Sequence, residues 1–451
     1  MLPSQALQLN TEEESRSDWL AFISRGSLYF LIGGLLAFGK DFAYLGIDTP
    51  FTRIYISEIF IAFNILAIAA DLLRGRLDPK IKYVVWFLPL IFYGGVLAAF
   101  GFFEHGILAI RQYAMIYYCI TAFLFSYRFT KNDINKLLIL SICCSAAHLA
   151  LHTFYHGYAQ LPYANIGVLS PVGFIIVIAG SLYYMGVRSL MSLSLNALLL
   201  LLACVYIYTI PRSSLFAAIT FVALLYVLLL FFRGGHRVLK ARKIILMSVI
   251  IAGIAGLSLL VVLLFSGQGA SLDSFLSEFT TTFSPQLKYD PGRPSEENFA
   301  NRNVHWRIMV WEKAFNELSK NPLFGIGFGE KFISPRPRFP SYRFKNIDPH
   351  NSYINLLMRT GLVGFFLFAL PHFLILRKVL AVLRRGSDGH WRTLRPWLLI
   401  FAGISVLALF NVVLENPFGA IPYWFVFGIM LIICNATPEN FKHTERTSPD
   451  R

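Results

Sequence analysis

The chain has 451 residues, of which 56% are apolar and 14% charged, and its mean hydropathy is +0.58. Soluble proteins are about 45–50% apolar and about 25% charged, so this composition excludes a soluble cytosolic enzyme and a disordered or collagen-like chain. The net charge of +15 would point to nucleic acid in a soluble protein. In so apolar a chain we attribute it to membrane topology, and we expect no nucleic-acid partner.

Twelve apolar runs are long enough to cross a membrane as helices, at about 20 residues per crossing. The sequence therefore predicts an all-α integral membrane protein with about 12 transmembrane helices and one large extracytoplasmic loop that contains short helices. The first run lacks a basic n-region and a cleavage site, so we expect it to be retained. The runs cover residues 19–39, 54–73, 83–103, 107–127, 134–156, 163–186, 189–209, 213–232, 244–265, 360–383, 396–414 and 417–435.

Basic residues divide the eleven connecting loops into two sets. The five even-numbered loops, together with the adjoining ends of the spans, carry 19 Lys and Arg residues, whereas the five short odd-numbered loops carry only Lys40, Arg53 and Arg212. Positive charge is retained on the cytoplasmic side, so both termini are predicted to be cytoplasmic and the odd loops to face outward. Residues 1–265 then hold transmembrane helices 1–9, and 352–435 hold helices 10–12. Residues 266–351 form the large outward loop, and 436–451 form a cytoplasmic tail.

Two helices are predicted to bracket the large loop. In the first, apolar residues recur at helical spacing and stop at Asn321-Pro322, which predicts an amphipathic helix with a buried stripe. Arg307 lies on the flank of that stripe, whereas Arg302 precedes the first turn and is expected to face water. The stripe consists of Val304, Ile308, Trp311, Phe315 and Leu318.

The second bracketing helix is predicted to begin at Asp348-Pro349, with Asp348 as N-cap and Pro349 in the first helical position. His350 would then be the second residue of the helix, followed by Asn351. Free N–H groups there can bind an anion. The positive end of the helix dipole disfavours imidazolium, so we expect a neutral His350 that can accept a proton.

Arg212 follows Pro211 and precedes two serines, on the side of the membrane where positive charge is avoided. Backbone N–H groups around it suit phosphate oxygens, although an interfacial anchor is the alternative interpretation. Arg111 and Glu58 lie inside predicted spans, where ionisable residues are candidates for functional sites. These two residues could pair, either within a site or as a structural ion pair.

Other patterns argue against metal and nucleotide chemistry. His148, His152 and His156 share one helix face without carboxylates or cysteines, so we interpret them as neutral residues that line a crevice. The segment Gly325–Gly329 follows a helix rather than a strand, which favours a tight turn over a dinucleotide loop. The chain contains no Asp-x-Asp pair to hold a metal against a diphosphate. We therefore expect no metal and no cofactor, and any bound diphosphate must be neutralised by arginines.

Three segments occur in a fixed order: Thr-x-x-Arg-Ser at Arg212, His-Trp-Arg-x-x-x-Trp at Arg307 running into Asn321–Gly329, and His-Asn-Ser-Tyr-Ile-Asn-Leu-Leu at His350 followed by Thr360-Gly361. Together they resemble the O-antigen ligase / O-antigen polymerase superfamily of bacterial envelope glycosyltransferases. In motif terms the resemblance covers residues from about 200 to 375. Pro211 stands where members often carry Ser.

The resemblance implies a metal-independent, inverting glycosyltransferase of the bacterial inner membrane with a periplasmic active site. Its donor would be an undecaprenyl-diphosphate-linked glycan and its acceptor lipid A–core, both held among membrane lipid. Arg212 and Arg307 would bind the diphosphate and His350 would deprotonate or orient the acceptor hydroxyl, with Arg302, Arg111 and Asn351 as secondary candidates. A single large outward loop favours a ligase, with a polymerase of lipid-linked repeat units as the alternative. A flippase or transporter is disfavoured because we find no internal repeat.

Overall fold

The computed structural model describes residues 3–50, 52–76, 78–158, 169–184, 295–332, 348–385 and 388–436. The predicted spans 189–209, 213–232 and 244–265 lie outside these ranges, and so does Arg212. The division of the chain into the four predicted segments stays a prediction.

Within the described part of the chain the fold is almost entirely helical. Its two short strands, β1 (Gly46–Asp48) and β2 (Arg53–Tyr55), form an antiparallel hairpin in the first predicted outward loop. Two 3₁₀ helices cover Pro79–Trp86 and Lys131–Asp133. The α-helices are α1 (Pro3–Phe38), α2 (Lys40–Ala43), α3 (Ile56–Leu73), α4 (Leu88–His105), α5 (Ile107–Tyr117), α6 (Ile120–Arg128), α7 (Ile134–Tyr158), α8 (Leu169–Tyr184), α9 (Ser295–Lys320), α10 (Ser352–Arg385), α11 (Asp388–Ala408) and α12 (Pro417–Asn435).

By length and composition, six of the described helices can cross a membrane, and a bent pair of helices makes a possible seventh span. This confirms a multi-pass helical protein, whereas the count of twelve stays a prediction. The six segments are Trp19–Phe38, Ile56–Leu73, Leu88–His105, Lys131–Leu151, Ser352–Arg384 and Pro417–Asn435.

The predicted fourth span, 107–127, is not one straight helix. It is divided into α5 and α6, which meet at an angle of 45°. At the junction the backbone N–H groups of Cys119 and Thr121 donate three residues back, to Ile116 and Tyr118. The Thr121 hydroxyl also donates to the Tyr118 carbonyl. This tighter hydrogen bonding replaces the regular ladder and bends the chain.

The helix predicted at 396–414 is also displaced in the structure. It begins earlier, as α11, and ends at Ala408. The residues that follow, up to Asn416, form turns and extended chain. These residues contribute Glu415 to the site described below.

Helix α12 lies at the centre of the fold, and nearly all of its residues are buried. It packs closely on α6, because Gly428 faces Ala122 without a side chain between the two backbones. A methyl group at Gly428 would lie 2.5 Å from the Ala122 carbonyl oxygen. Small residues at such contacts allow transmembrane helices to approach closely.

Connections predicted to face outward meet at one end of the helices, which we call the outer end. The Tyr44 hydroxyl in the first connection donates to Asn416 Oδ1 in the last, at 3.4 Å. Between them, Gly329 lies against His105, since a methyl group at Gly329 would be 2.6 Å from the His105 side chain.

The connections rich in Lys and Arg meet at the opposite end, which we call the basic end. Lys80 Nζ donates to the Phe129 carbonyl at 3.0 Å, and Lys378 Nζ lies 5.7 Å from the centre of the Trp86 ring. Within the described ranges, these connections thus share one end, whereas the side of the membrane on which that end lies stays a prediction.

Candidate functional site

Helix α9 packs against the start of α10 through a small apolar cluster at the outer end. Its buried residues are Trp306, Val310 and Ala314, which meet Met358 of α10. The predicted buried stripe is wrong, because Ile308 and Phe315 are exposed on another face. An apolar face in a membrane protein can meet lipid instead of protein, so hydrophobicity alone chose the wrong side.

The predicted start of the second bracketing helix is also wrong. Helix α10 begins at Ser352, and Asn351 is its N-cap. The Asn351 side-chain oxygen accepts the backbone N–H groups of Tyr353 and Ile354, each at 3.0 Å. His350 precedes the helix, because its backbone has φ of 52°, outside the helical range. The secondary candidate Asn351 therefore has a capping role.

His350 has a defined side-chain orientation. Its Nδ1 lies 3.0 Å from the Asp348 carbonyl oxygen. A carbonyl only accepts hydrogen bonds, so Nδ1 carries the proton and in the neutral ring the lone pair is on Nε2. Trp306 meets the imidazole edge-on, with ring centroids 5.1 Å apart.

A second contact joins the same two elements. The indole Nε1 of Trp311 donates to the Pro349 carbonyl at 2.8 Å. Two tryptophans of α9 therefore hold the turn that carries His350. Arg307, which is partly buried, follows Trp306 directly in the chain, so the structure brings the helix of Arg307 against the turn of His350.

The remaining predicted site residues lie elsewhere or are not described. Arg302 belongs to α9, but its side chain lies outside the described residues, as does all of Arg212. Arg111 is exposed at the outer end and donates to the Thr52 hydroxyl, at 2.8 Å from Nη2.

The predicted pair of Arg111 with Glu58 is not formed. Glu58 instead accepts the Tyr117 hydroxyl at 2.6 Å and the backbone N–H of Tyr55 at 3.0 Å. It closes the first turn of α3, so its two oxygens are occupied without Arg111.

The structure adds a polar network that the sequence analysis missed. The Asn355 amide nitrogen donates to Asp348 Oδ1 at 3.2 Å and to Glu415 Oε1 at 3.0 Å. Its amide oxygen accepts Arg359 Nε at 3.1 Å. The Ser352 hydroxyl donates to Glu415 Oε2 at 2.6 Å. The network thus connects α10, the loop before α12 and Asp348, whose carbonyl orients His350.

Arg359 is fully buried at the inner side of this network. Besides Asn355, its Nη1 lies 3.4 Å from the carbonyl oxygens of Gly327 and Glu330. A sequence signal for it existed, since Asn355 and Arg359 are four residues apart and share one helix face.

Glu415 belongs to the same network and lies just before α12, at the outer end of the helices. Burial, together with the nearby Asp348 carboxylate, raises the pKa of Glu415 to about 7. It is the only acidic residue between 389 and 438, which was the available signal for its special position.

Helix α10 is interrupted, and the glycine-containing segment after α9 forms backbone hydrogen bonds with the residues on both sides of the interruption. The break is at Gly361, with φ of 63° and ψ of −169°. The N–H groups of Ile326 and Gly327 donate to the carbonyls of Met358 and Arg359, both at 2.9 Å. In return, the two residues after Gly361 donate to the carbonyls of Pro322 and Leu323. The predicted tight turn is confirmed, and its partner is the broken helix.

In the described part of the chain there is no group of three or more His, Cys, Asp or Glu residues that could hold a metal ion. The Nδ1 of His148 lies 3.0 Å from the Ala37 carbonyl oxygen, within the helical bundle. The side chains of His152 and His156 lie outside the described residues. At the outer end, the geometry of His350 supports proton acceptance by an oriented imidazole beside a helix that bears an arginine.

The fold and site define a multi-pass helical membrane protein with a histidine site at one end of its helices. Residues 175–369 match the family model described as O-antigen ligase. This match confirms the family resemblance predicted from the sequence, and it includes Arg212, Arg307 and His350. No curated protein matches the chain.

Proposed function

We propose that the protein is an O-antigen ligase of the bacterial inner membrane. It would transfer O-antigen polysaccharide from undecaprenyl diphosphate to a sugar hydroxyl of lipid A–core, with the outer end of the helices in the periplasm. The matched family supports a ligase or polymerase type of membrane glycosyltransferase. The single large outward loop predicted from the sequence favours the ligase.

In the proposed reaction, the oxygen of the acceptor hydroxyl attacks the anomeric carbon of the donor sugar. The bond from that carbon to the diphosphate oxygen breaks, and in-line displacement inverts the configuration. The hydroxyl proton passes to Nε2 of His350, and undecaprenyl diphosphate leaves. Proton acceptance of this kind contributes about 10²–10⁴-fold.

Arginines would stabilise the charge that develops on the departing diphosphate. A guanidinium presents paired N–H donors that match phosphate oxygens. We assign this role to Arg307 and Arg212, and the stabilisation can exceed the contribution of the base.

The observation that carries the proposal is the orientation of His350. Its Nδ1–H is held by the Asp348 carbonyl, its ring is supported by Trp306, and Arg307 follows that tryptophan in the chain. With Nδ1 held by this carbonyl, Nε2 is the ring nitrogen that can accept a proton from an acceptor hydroxyl.

The decisive experiment uses purified protein with a defined lipid-linked donor and lipid A–core acceptor, with EDTA present. We expect transfer by the wild type and a loss of at least about 10²-fold in His350→Ala. His105→Ala is the matched control, because His105 also lies at the outer end but outside the site. Full activity of His350→Ala, or transfer that requires a metal, would contradict the proposal.

Lipopolysaccharide gels separate the two enzyme classes in cells. Loss of a ligase removes the polymer ladder and leaves polymer on the carrier lipid. Loss of a polymerase instead leaves core that bears a single repeat. A transporter would largely tolerate His350→Ala, so the same variant also tests that class.

A further inference from the structure

A cavity of about 530 Å³ opens at the basic end, away from the histidine site. It lies where α1, α3 and α6 meet the connection between α3 and α4. Four cations and two carboxylates line it, so its charged side chains leave an excess of two positive charges. They are Arg25, Arg76, Lys80, Arg128, Asp71 and Asp78.

Arg128 is the buried member of this set, with only 6% of its side chain exposed. Its Nη1 donates to Asp71 Oδ2 at 2.6 Å. Its Nε and Nη2 are buried and have no hydrogen-bond partner among the described residues. Unsatisfied donors on a buried cation are costly, and Arg128 is itself one of the residues that line the cavity.

The two carboxylates of the cavity are already engaged. Asp71 accepts from Arg128, and Asp78 accepts the backbone N–H of Lys80 at 2.8 Å. Lys80 Nζ also donates to backbone carbonyls, those of Tyr127 and Phe129. The unmet hydrogen-bonding capacity therefore belongs to arginines, because Arg25 Nε likewise has no partner within the described ranges.

We propose that this cavity binds a phosphate group, namely that of an anionic phospholipid in the leaflet at the basic end. Phosphate oxygens suit the free edges of guanidinium groups, and basic pockets between helices bind acidic headgroups. Apolar surface lies beside the cavity for the acyl chains. Phe22, next to a lining residue on α1, is 74% exposed, and Leu73 at the end of α3 is 91% exposed.

The test measures binding to the delipidated full-length protein in a neutral detergent, for example by native mass spectrometry. The probes are short-chain phosphatidylglycerol, short-chain phosphatidylcholine and inorganic phosphate. We expect phosphatidylglycerol to bind well and phosphatidylcholine to bind poorly. Binding of inorganic phosphate at the same residues would assign the site to free phosphate and would still support a phosphate site.

The variants locate the binding. Arg25→Gln combined with Arg76→Gln should weaken phosphatidylglycerol binding about 30-fold, because each cation near an anionic headgroup contributes about fivefold. Arg377→Gln combined with Arg384→Gln is the matched control, since it removes two exposed charges at the same end outside the cavity. Arg128→Lys, which keeps the charge but loses the paired donors, should also weaken binding.

Equal weakening in the cavity and control variants would overturn the proposal, as would binding that the cavity variant leaves unchanged or an absence of binding by both anions. If Arg128→Lys fails to fold, the variant at Arg25 and Arg76 still decides. The measurement uses no glycan substrate, so its outcome is independent of the proposed transferase activity.

Discussion

The indole of Trp306 stands edge-on to the imidazole of His350, with the ring planes at 87°. Such edge-to-face pairs contribute about 0.5–1.5 kcal/mol beyond buried area. Here the pair also fixes where the imidazole points.

Trp306→Leu should therefore reduce the turnover number of glycan transfer by about 10–100-fold, because small misplacements of a catalytic group are costly. The Michaelis constants for both substrates should change much less. Steady-state kinetics with purified protein measures the two separately.

Ile308→Ala on the same helix is the control. Ile308 is exposed, so this substitution should leave the turnover number unchanged. A Trp306→Leu variant that is well folded and fully active would show that the ring contact does not position His350.

The raised pKa of Glu415 makes stability depend on pH. The folded protein holds a proton on Glu415 that the unfolded chain releases at lower pH. Its stabilising contribution is therefore complete below the ordinary carboxyl range and is lost as pH rises towards about 7. The Tm of the wild type should fall between pH 5 and 8, and Glu415→Gln should reduce that fall by on the order of a few degrees.

Thermal unfolding in detergent across this pH range measures the effect. Glu104→Gln is the matched control, since Glu104 has 77% of its side chain exposed at the same end. Parallel pH profiles for the wild type and Glu415→Gln would contradict the assignment.

Arg359 should be more important for stability than an exposed arginine. Arg359→Ala removes the donor to Asn355 and leaves the carboxylates of Asp348 and Glu415 without their buried cation. Breaking a buried charged network in this way costs about 3–5 kcal/mol.

The measurement is the Tm and the yield of monodisperse protein. Arg384→Ala changes an exposed residue of the same helix and should have little effect. A similar Tm for the two variants would argue against the buried network.

Gly361→Ala should destabilise the protein, since the backbone at Gly361 has positive φ and an added methyl group would overlap the Leu323 carbonyl. Backbone strain of this kind costs about 1–3 kcal/mol before the overlap is counted. Gly26→Ala is the control, because a methyl group at Gly26 meets nothing within 4 Å. Differential scanning fluorimetry should show a lower Tm for Gly361→Ala alone, and equal Tm values would contradict the close approach.

Much of the fold follows from hydrophobic length and charge. Runs such as 54–73 and 417–435 correspond closely to α3 and α12, because lipid requires continuous helices of that length. The placement of Lys and Arg adds a prediction of which end faces the cytoplasm.

The details of the site could not be predicted in the same way. The predicted span 360–383 begins just after Arg359, and only tertiary partners reveal that helix α10 breaks at Gly361. Glu58 looks like a partner for Arg111, yet its carboxylate accepts the Tyr55 backbone N–H and the Tyr117 hydroxyl instead. Local sequence cannot rank a nearby capping interaction against a distant ion pair.

The start of α10 shows the same limit. Asp348-Pro349 is a strong local signal for a helix start, but Asn351 three residues later serves as the cap. Packing of Trp306 and Trp311 against the preceding turn decides between the two.

The backbone hydrogen bonds across the break at Gly361 have a consequence for how this region can vary among relatives. Surface loops usually accept added or deleted residues. Here Pro322, Leu323, Ile326 and Gly327 are hydrogen-bonded to the interrupted helix, so an inserted residue would break the register between these two pairs of contacts. The length of this segment should therefore be as constrained as the identity of any side chain in it.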